Sequence, residues 1–253
     1  RVTVESVVMK IYGSELFRRL GLPVMASAIT LALSLPAHSS PITAPTGLNP
    51  GDQYRLAFVT ASQRDPSSSN IADYNAFVTA AANTQAALLA LGTVWTAIAS
   101  TNSVDARDNT GTNPFNVTHA DVPIYLLDGA TKITDNNADL WDGSLDHALS
   151  VNETGGNVPL TVRTGTQADG TATPGNGLGT AGSTLMGFST ASGGDWIAAG
   201  TLGQSVTLHF YGLSDVLTFT STTPITAPGG FAILGLGIAA LGRARRRKQY
   251  ARQ

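Results

Sequence analysis

The sequence of 253 residues contains no cysteine, and only 13% of its residues are charged. The absence of cysteine excludes disulfide bonds, iron–sulfur clusters, thiolate metal ligands and cysteine nucleophiles. An average soluble domain carries about 25% charged residues, so small polar residues and glycine hold many positions that charged side chains usually occupy. Apolar residues still make up 42% of the chain, which is enough for one buried core of ordinary domain size.

Two common signatures of hydrolases are also missing from the sequence. It has no H-E-x-x-H zinc motif and no G-x-S-x-G nucleophile elbow. The glycine-rich run 175–179 follows Pro174 rather than a strand, and no lysine comes after it, so it lacks the context of a phosphate-binding loop. We therefore expect a protein that is not an enzyme.

Positive charge is concentrated at the two ends of the chain. Ten of the 15 basic residues lie within residues 1–19 and 243–252, whereas residues 40–242 contain 5 basic and 15 acidic residues, a net charge of −10. A surface of that sign repels nucleic acids and anionic lipids. We therefore expect no nucleic-acid partner, and we interpret the basic ends as targeting signals.

Residues 1–39 have the order of parts found in a secretory signal peptide, with Met9 as the expected start. A basic region is followed by an apolar run at 20–35, and Ala37 and Ser39 are the small residues that signal peptidase prefers on the amino-terminal side of its cleavage site. About 16 apolar residues are fewer than the roughly 20 that a membrane-spanning helix needs. We therefore expect cleavage after Ser39 rather than a permanent anchor.

Residues 223–253 form a second targeting segment. Its uncharged run, 229–242, is short for a permanent transmembrane helix. Snorkelling of the flanking arginines makes a marginal span possible, and the basic cluster would remain on the cytoplasmic side. A buried core helix is the alternative, but five neighbouring basic residues argue against burial. The cluster consists of Arg243, Arg245, Arg246, Arg247 and Lys248.

The order of these parts resembles the PEP-CTERM sorting signal of Gram-negative bacteria. In that family a proline-containing motif, a short helix rich in Gly, Leu and Ala, and an arginine cluster end the chain, and an exosortase-type membrane protease cuts near the motif Pro-Glu-Pro. Here Ala227, Pro228 and Gly229 stand at that motif, without a glutamate. The resemblance implies transient anchoring in the inner membrane. Release to the cell surface, the extracellular matrix or exopolysaccharide would follow.

After a flexible lead-in at 40–52, residues 53–222 are expected to form one extracellular α+β domain. Alternation predicts an opening strand at 54–60. Asn70 is a suitable cap for a helix that runs to about Leu91. The remaining expectations are strands at 93–99 and 122–127, a charged turn at 104–109, a hairpin arm at 132–133, a loop-dominated segment at 136–200, and closing strands at 206–211 and 216–220 joined by a turn at 212–215.

Three motifs of this central region resemble the endostatin-like branch of the C-type-lectin-like fold. They are Asp-Ala-Arg-Asp at 105–108, Val-Pro-Ile-Tyr at 122–125 and Ala-Asp-Leu-Trp-Asp-Gly-Ser at 138–144. The resemblance implies a loop-rich α+β module of the kind that bacterial surface proteins carry. The chain departs from that pattern at Arg163, where related modules usually have a tryptophan, and it lacks the usual disulfide.

Acidic residues between 135 and 153 form the one constellation that suggests a metal site, and the metal would be calcium, which takes six to eight oxygen ligands. Their spacing does not match an EF-hand, and the alternative is that Asp139 and Asp142 cap loop amides. Arg107, which lies between two aspartates, is expected to form an ion pair. The candidate calcium ligands are Asp135, Asn136, Asn137, Asp139, Asp142, Asp146 and Glu153.

Two functions compete with a structural or adhesive role at the cell surface. In a lectin-like module acting on exopolysaccharide, Trp141, Trp196 or Tyr211 would be stacking platforms. Asp139 and Asp142 would then complete the ligand site. In an extracellular hydrolase, two carboxylates about 5–10 Å apart in a cleft would be needed. The sequence offers no further evidence for the hydrolase.

Overall fold

A computed structural model describes residues 41–220 and shows a mixed α/β domain with two β-sheets and short helices. This confirms the expectation of a fold that mixes strands with few helices. The signal peptide expected at 1–39 and the sorting signal expected at 223–253 lie outside the described residues. Within residues 41–220, none of the helices has the length and hydropathy needed to cross a membrane.

The elements of residues 41–220 follow one another in a fixed order along the chain. The helices are α1 (Ile71–Asn83), α2 (Ala86–Leu89), α3 (Ala106–Asn109), α4 (Asn137–Leu140) and α5 (Asp195–Ala198). The strands are β1 (Gln53–Val59), β2 (Trp95–Ala97), β3 (Ile124–Leu126), β4 (Lys132–Thr134), β5 (Thr161–Arg163), β6 (Ser183–Phe188), β7 (Gly200–Gly203), β8 (Tyr211–Ser214) and β9 (Leu217–Thr218).

Strand β1 lies at the centre of the larger sheet, whose order is β2-β8-β1-β3-β4, with β9 paired to the start of β1. It runs parallel to β3, with Leu56 opposite Tyr125, and antiparallel to β8. Every residue of β1 after Gln53 is buried, because both faces of the strand are covered. The predicted opening strand and the predicted β3–β4 hairpin are both confirmed.

Helix α1 begins where the sequence predicts and ends earlier. The Asn70 side chain accepts a hydrogen bond from the amide of Ala72 at 3.2 Å, which caps the helix. The predicted continuation to Leu91 is wrong, because the chain leaves the helix at Thr84. The Thr84 hydroxyl donates to the Ala81 carbonyl at 2.7 Å, and Gln85 is extended. A separate short helix, α2, follows.

Of the two predicted closing strands, the second, at 216–220, contains β9, whereas the first is displaced. Residues 212–215 were expected to form a turn, but Gly212 to Ser214 belong to β8, and Asp215 and Val216 separate it from β9. The glycine that suggested a turn serves packing instead. A Cβ atom at Gly212 would lie 2.7 Å from the ring of Phe58, so the absent side chain lets β8 pair closely beside β1. The charged turn expected at 104–109 likewise contains a short helix, α3.

A second sheet, of order β5-β6-β7, spans residues 161–203, and β5 and β6 lie within the segment 136–200 that was predicted to be mainly loops. The guanidinium of Arg163, on β5, is buried and donates five hydrogen bonds at 2.6–3.2 Å to atoms of β6 and of the chain around β7. Its acceptors are the Thr184 carbonyl and hydroxyl and the carbonyls of Leu202, Gly203 and Val206. Burial lowers the pKa of this guanidinium. Arg163 therefore joins the three strands from within the sheet.

The lead-in, expected to be flexible, is bonded to the β3–β4 hairpin over its described residues. The amide of Ile42 donates to the Leu127 carbonyl at 2.8 Å, and the amide of Thr46 donates to the Gly129 carbonyl at 2.8 Å. The hydroxyl of Tyr54 donates to the carbonyl of Thr43 at 2.8 Å. The start of the described chain therefore forms part of the domain surface.

Candidate functional site

Three of the acidic residues that the sequence singled out come together at the junction of β4 and α4. Asp135, Asp139 and Asp146 place one carboxylate oxygen each within 4.8 Å of the others. Asp135 and Asp146 are exposed, and Asp139 is partly buried. Asp142 and Glu153 are not part of this group. The structure therefore brings three of the predicted calcium ligands together, whereas Asp142 and Glu153 lie apart from them.

The carboxylate of Asp139 is already engaged in holding the loop. One of its oxygens accepts hydrogen bonds from the Thr134 hydroxyl at 2.8 Å and from the Asp135 amide at 2.7 Å. Asn136 caps α4 by accepting from the Asp139 amide at 3.0 Å. In the same way, Asp142 accepts from the amide and the hydroxyl of Ser144. Both aspartates thus cap loop amides, as the alternative interpretation held.

A lysine supplies positive charge to the acidic group. The Lys132 ammonium donates a hydrogen bond to Asp135 and forms an ion pair with it, which raises the pKa of the lysine. Three monodentate carboxylates would supply only half of the six oxygens that calcium requires at minimum. The group can attract a cation electrostatically, but a cation there would compete with the Lys132 ammonium.

The two tryptophans proposed as stacking platforms lie in the core. Trp196 is fully buried and Trp141 is 6% exposed. Their rings pack at 6.1 Å between centroids, and the Trp141 indole donates to the Thr112 hydroxyl at 2.9 Å. Tyr211, also fully buried, packs against Trp196 and donates to its carbonyl. None of these rings presents a face to a sugar, so this prediction is corrected.

Arg107 forms the ion pair that the sequence predicts. Its guanidinium lies 3.7 Å from the Asp105 carboxylate and 5.6 Å from the centroid of the Phe115 ring. Phe115 is 81% exposed, so the arginine covers part of an apolar side chain at the surface. These contacts account for Arg107 without a ligand.

A buried acid and a buried histidine, which sequence reasoning did not connect, lie near each other beyond the end of β1. The carboxylate of Glu153 accepts from the Ala61 amide at 2.7 Å, and His209 contacts the Thr60 carbonyl through Nδ1 at 2.7 Å. Since a carbonyl only accepts, Nδ1 carries the proton, and Nε2 accepts from the Gln63 amide at 2.9 Å. Burial raises the pKa of Glu153, and the hydrogen bond from the Ala61 amide opposes the rise.

We expect Glu153→Gln to stabilise the protein at pH 8 and to have no effect at pH 4. A carboxyl whose pKa is raised on folding contributes stability below its unfolded pKa of 4.5, and that contribution is lost as the pH rises through the folded pKa. Glutamine keeps an acceptor for the Ala61 amide without the buried charge. Urea unfolding at both pH values measures the difference. The exposed Asp195→Asn is the matched control, and equal effects of Glu153→Gln at pH 4 and pH 8 would contradict the expectation.

One further residue that sequence reasoning passed over is Arg55. It alternates with Tyr54 and Leu56 along β1, yet it is only 4% exposed and lines a cavity beside Asp108 and Asp215. Its signal in the sequence is a single arginine among the apolar residues that follow Gln53 in the strand.

No protein-family model matches the chain, and no curated protein matches it.

Proposed function

We propose that this protein is exported and serves a non-enzymatic, structural or adhesive role at the cell surface or in the extracellular matrix of a Gram-negative bacterium. The observation that carries the proposal is the tail, in which a Gly/Leu/Ala run is followed by an arginine cluster. This tail begins only a few residues after β9, which ends at Thr218 and pairs with the first strand at Gln53. The sorting segment therefore begins a few residues after β9, the last strand, which is paired with β1, the first.

The proposed mechanism of sorting depends on three physical properties of the tail. The apolar run at 229–242 holds the exported protein in the inner membrane for a time, and the arginines fix its orientation. Pro228 has no amide proton and disfavours helix at the residue before it, so we expect a junction that a protease can cleave. Signal peptidase acts at the other end of the chain, and an exosortase-type protease acts at this one.

The charge of the described domain disfavours binding to anionic polymers. All five basic residues within 41–220 are held by acceptors in the fold: two by backbone carbonyls and three by carboxylates. This leaves most of the 15 acidic side chains to set the surface potential, which favours solubility and repels nucleic acid. The five are Arg55, Arg64, Arg107, Lys132 and Arg163.

We also propose that the domain has a C-type-lectin-like fold of the endostatin-like branch. In support, residues of the motifs that suggested this fold are in the core: Ile124 of the second motif and Trp141 of the third are buried. Arg163 is also buried at the position where related modules carry tryptophan, and its side chain fills interior space with hydrogen bonds instead of an indole. This arrangement explains how the departure is accommodated.

Replacing the arginine cluster tests the sorting proposal. In a host that has an exosortase, we expect the change of Arg243, Arg245, Arg246 and Arg247 to glutamine to leave most of the pulse-labelled protein as an unprocessed precursor. Without the cluster, the positive-inside bias no longer fixes the tail. Arg252→Gln, which alters the same tail outside the cluster, should be processed as the wild type is. Normal processing of the fourfold variant would overturn the proposal.

A further inference from the structure

A cavity of about 260 Å³ opens beside the end of β2, where the end of α3 and the residue after β8 meet. Val94 and Thr96 form one wall, and Asn109 to Gly111 form another. The volume falls below the roughly 300–1,000 Å³ of pockets for drug-sized ligands. A ligand of this cavity would therefore be a small molecule of a few heavy atoms.

The floor of the cavity contains Arg55, whose hydrogen bonds leave two of its donors free. Its Nη1 donates to the carbonyls of Thr110 and Ser214, each at 3.0 Å, and Nη2 donates to the Gly111 carbonyl at 3.2 Å. A guanidinium has five N–H groups. Within the described residues, Nε has no partner but is closed off from solvent, so the remaining proton of Nη2 is the donor for a ligand in the cavity. A buried cation with an unused donor can bind an anionic group strongly.

Two carboxylates flank this guanidinium. Asp108 and Asp215 both line the cavity, and both are exposed at its rim. One oxygen of each is engaged, Asp108 with the Asn113 side chain at 2.6 Å and Asp215 with the Val216 amide at 2.7 Å. The second oxygen of each makes no hydrogen bond within residues 41–220. The cavity therefore has a buried positive floor and a negative rim, with a formal net charge of −1.

We propose that this cavity binds a small zwitterion, with a free amino acid as the simplest member of the class. Its carboxylate would accept from Nη2 of Arg55, and its ammonium would lie against Asp108 and Asp215. A carboxylate alone would be repelled by the rim, and an amine alone would leave the Nη2 donor without an acceptor. A zwitterion satisfies both ends, and no step of the sorting mechanism involves it.

The first test is a titration of the ¹⁵N-labelled protein followed by NMR. L-alanine should shift the amide signals of Thr96, Gly111 and Asp215 in a saturable manner. Acetate and methylammonium each carry one of the two charges, and each should bind at least about tenfold more weakly than L-alanine. γ-Aminobutyrate, in which the two groups are further apart, reports on the spacing that the cavity accepts.

The second test uses substitutions at the exposed rim, which leave the core unchanged. Asp215→Asn should weaken the binding of L-alanine by about tenfold and strengthen that of acetate, because the ammonium loses its partner while the repulsion of the carboxylate is relieved. Asp108→Asn should act with the same two signs. Asp195→Asn, an exposed aspartate on α5 that does not line the cavity, should change neither affinity.

Three results would overturn the proposal. One is the absence of any saturable shift with L-alanine up to about 100 mM. Another is binding of acetate as tight as that of L-alanine, which would mean that the rim carboxylates do not interact with the ligand. The last is an Asp215→Asn protein that binds L-alanine and acetate with the same affinities as the wild type.

Discussion

Replacing Arg163 by methionine is expected to lower the free energy of unfolding by about 4 kcal/mol. The substitution removes five hydrogen bonds and leaves the acceptors around β6 and β7 buried, among them the carbonyls of Thr184 and Leu202. Each unsatisfied buried acceptor costs about 1–3 kcal/mol. Removal of the desolvated charge, which burial disfavours, offsets part of that loss. The net effect is destabilising because several acceptors lose one common donor group.

Urea unfolding of the two proteins measures this loss directly. The matched control is Arg64→Met, since Arg64 forms a partly exposed ion pair with Asp73 at 3.9 Å, and such pairs contribute about 1 kcal/mol or less. Hydrogen exchange should show that the amides of β6 lose protection first in the Arg163 variant. A loss of less than about 1 kcal/mol at Arg163 would mean that the second sheet does not depend on the guanidinium.

Gly187→Ala is expected to destabilise the protein by about 3 kcal/mol. Gly187 lies in β6, where α5 packs directly on the strand. An added Cβ would lie 2.1 Å from the carbonyl oxygen of Trp196 and 2.7 Å from the amide nitrogen of Ile197. Both atoms belong to the backbone, so no side-chain rotation relieves the clash. The helix and the strand would have to separate, and the core around Trp196 would lose packing.

A neighbouring glycine provides the control for that substitution. A Cβ added at Gly193, in the turn before α5, would meet no atom within 4 Å. Gly193→Ala should therefore change the free energy of unfolding by less than about 1 kcal/mol. Thermal unfolding of both variants compares them under one condition. Equal stability of the Gly187 and Gly193 variants would show that the packing of α5 on β6 adjusts without cost.

Local signals predicted the part of the fold that is built from neighbouring residues. The Asn70 side chain gave the start of α1, and the strand at 122–127 with the arm at 132–133 gave the hairpin of β3 and β4. Both features rest on contacts within a few residues. Alternation at 54–60 also gave β1, although its partner strands are distant in sequence. The same reasoning assigned the end of α1 incorrectly, because the competing hydrogen bond from the Thr84 hydroxyl is not visible in apolar periodicity.

The features that the sequence did not reveal depend on long-range contacts. From the sequence alone Gly212 resembles a turn residue. In the structure Phe58, which is distant in sequence, lies beside it and leaves no room for a side chain. The β6 strand begins with Ser183 and Thr184 and contains Gly187, and its stability comes in part from Arg163. The tryptophans were proposed as platforms only for a lectin-like module, yet Trp141 and Trp196 pack on each other in the core. Large aromatic side chains in loop-rich segments often anchor loops by burial.

The candidate functional residues also divide into those set by short-range contacts and those set by long-range contacts. Asp139 lies close in sequence to the groups that it caps, so its structural role was among the expectations. The cavity at Arg55 joins residues from four separate parts of the chain, including Asp108 and Asp215. No spacing pattern connects them, and only the fold brings the guanidinium and the two carboxylates together.

The intact mass of the protein extracted from the cell surface tests the sorting account most directly. The account predicts a mature chain that begins at Ser40 and ends at or near Pro228, with any bound polymer removed before the measurement. The described domain, residues 41–220, lies wholly within that product. A surface-extracted protein that still carried Arg243 to Gln253 would contradict the account.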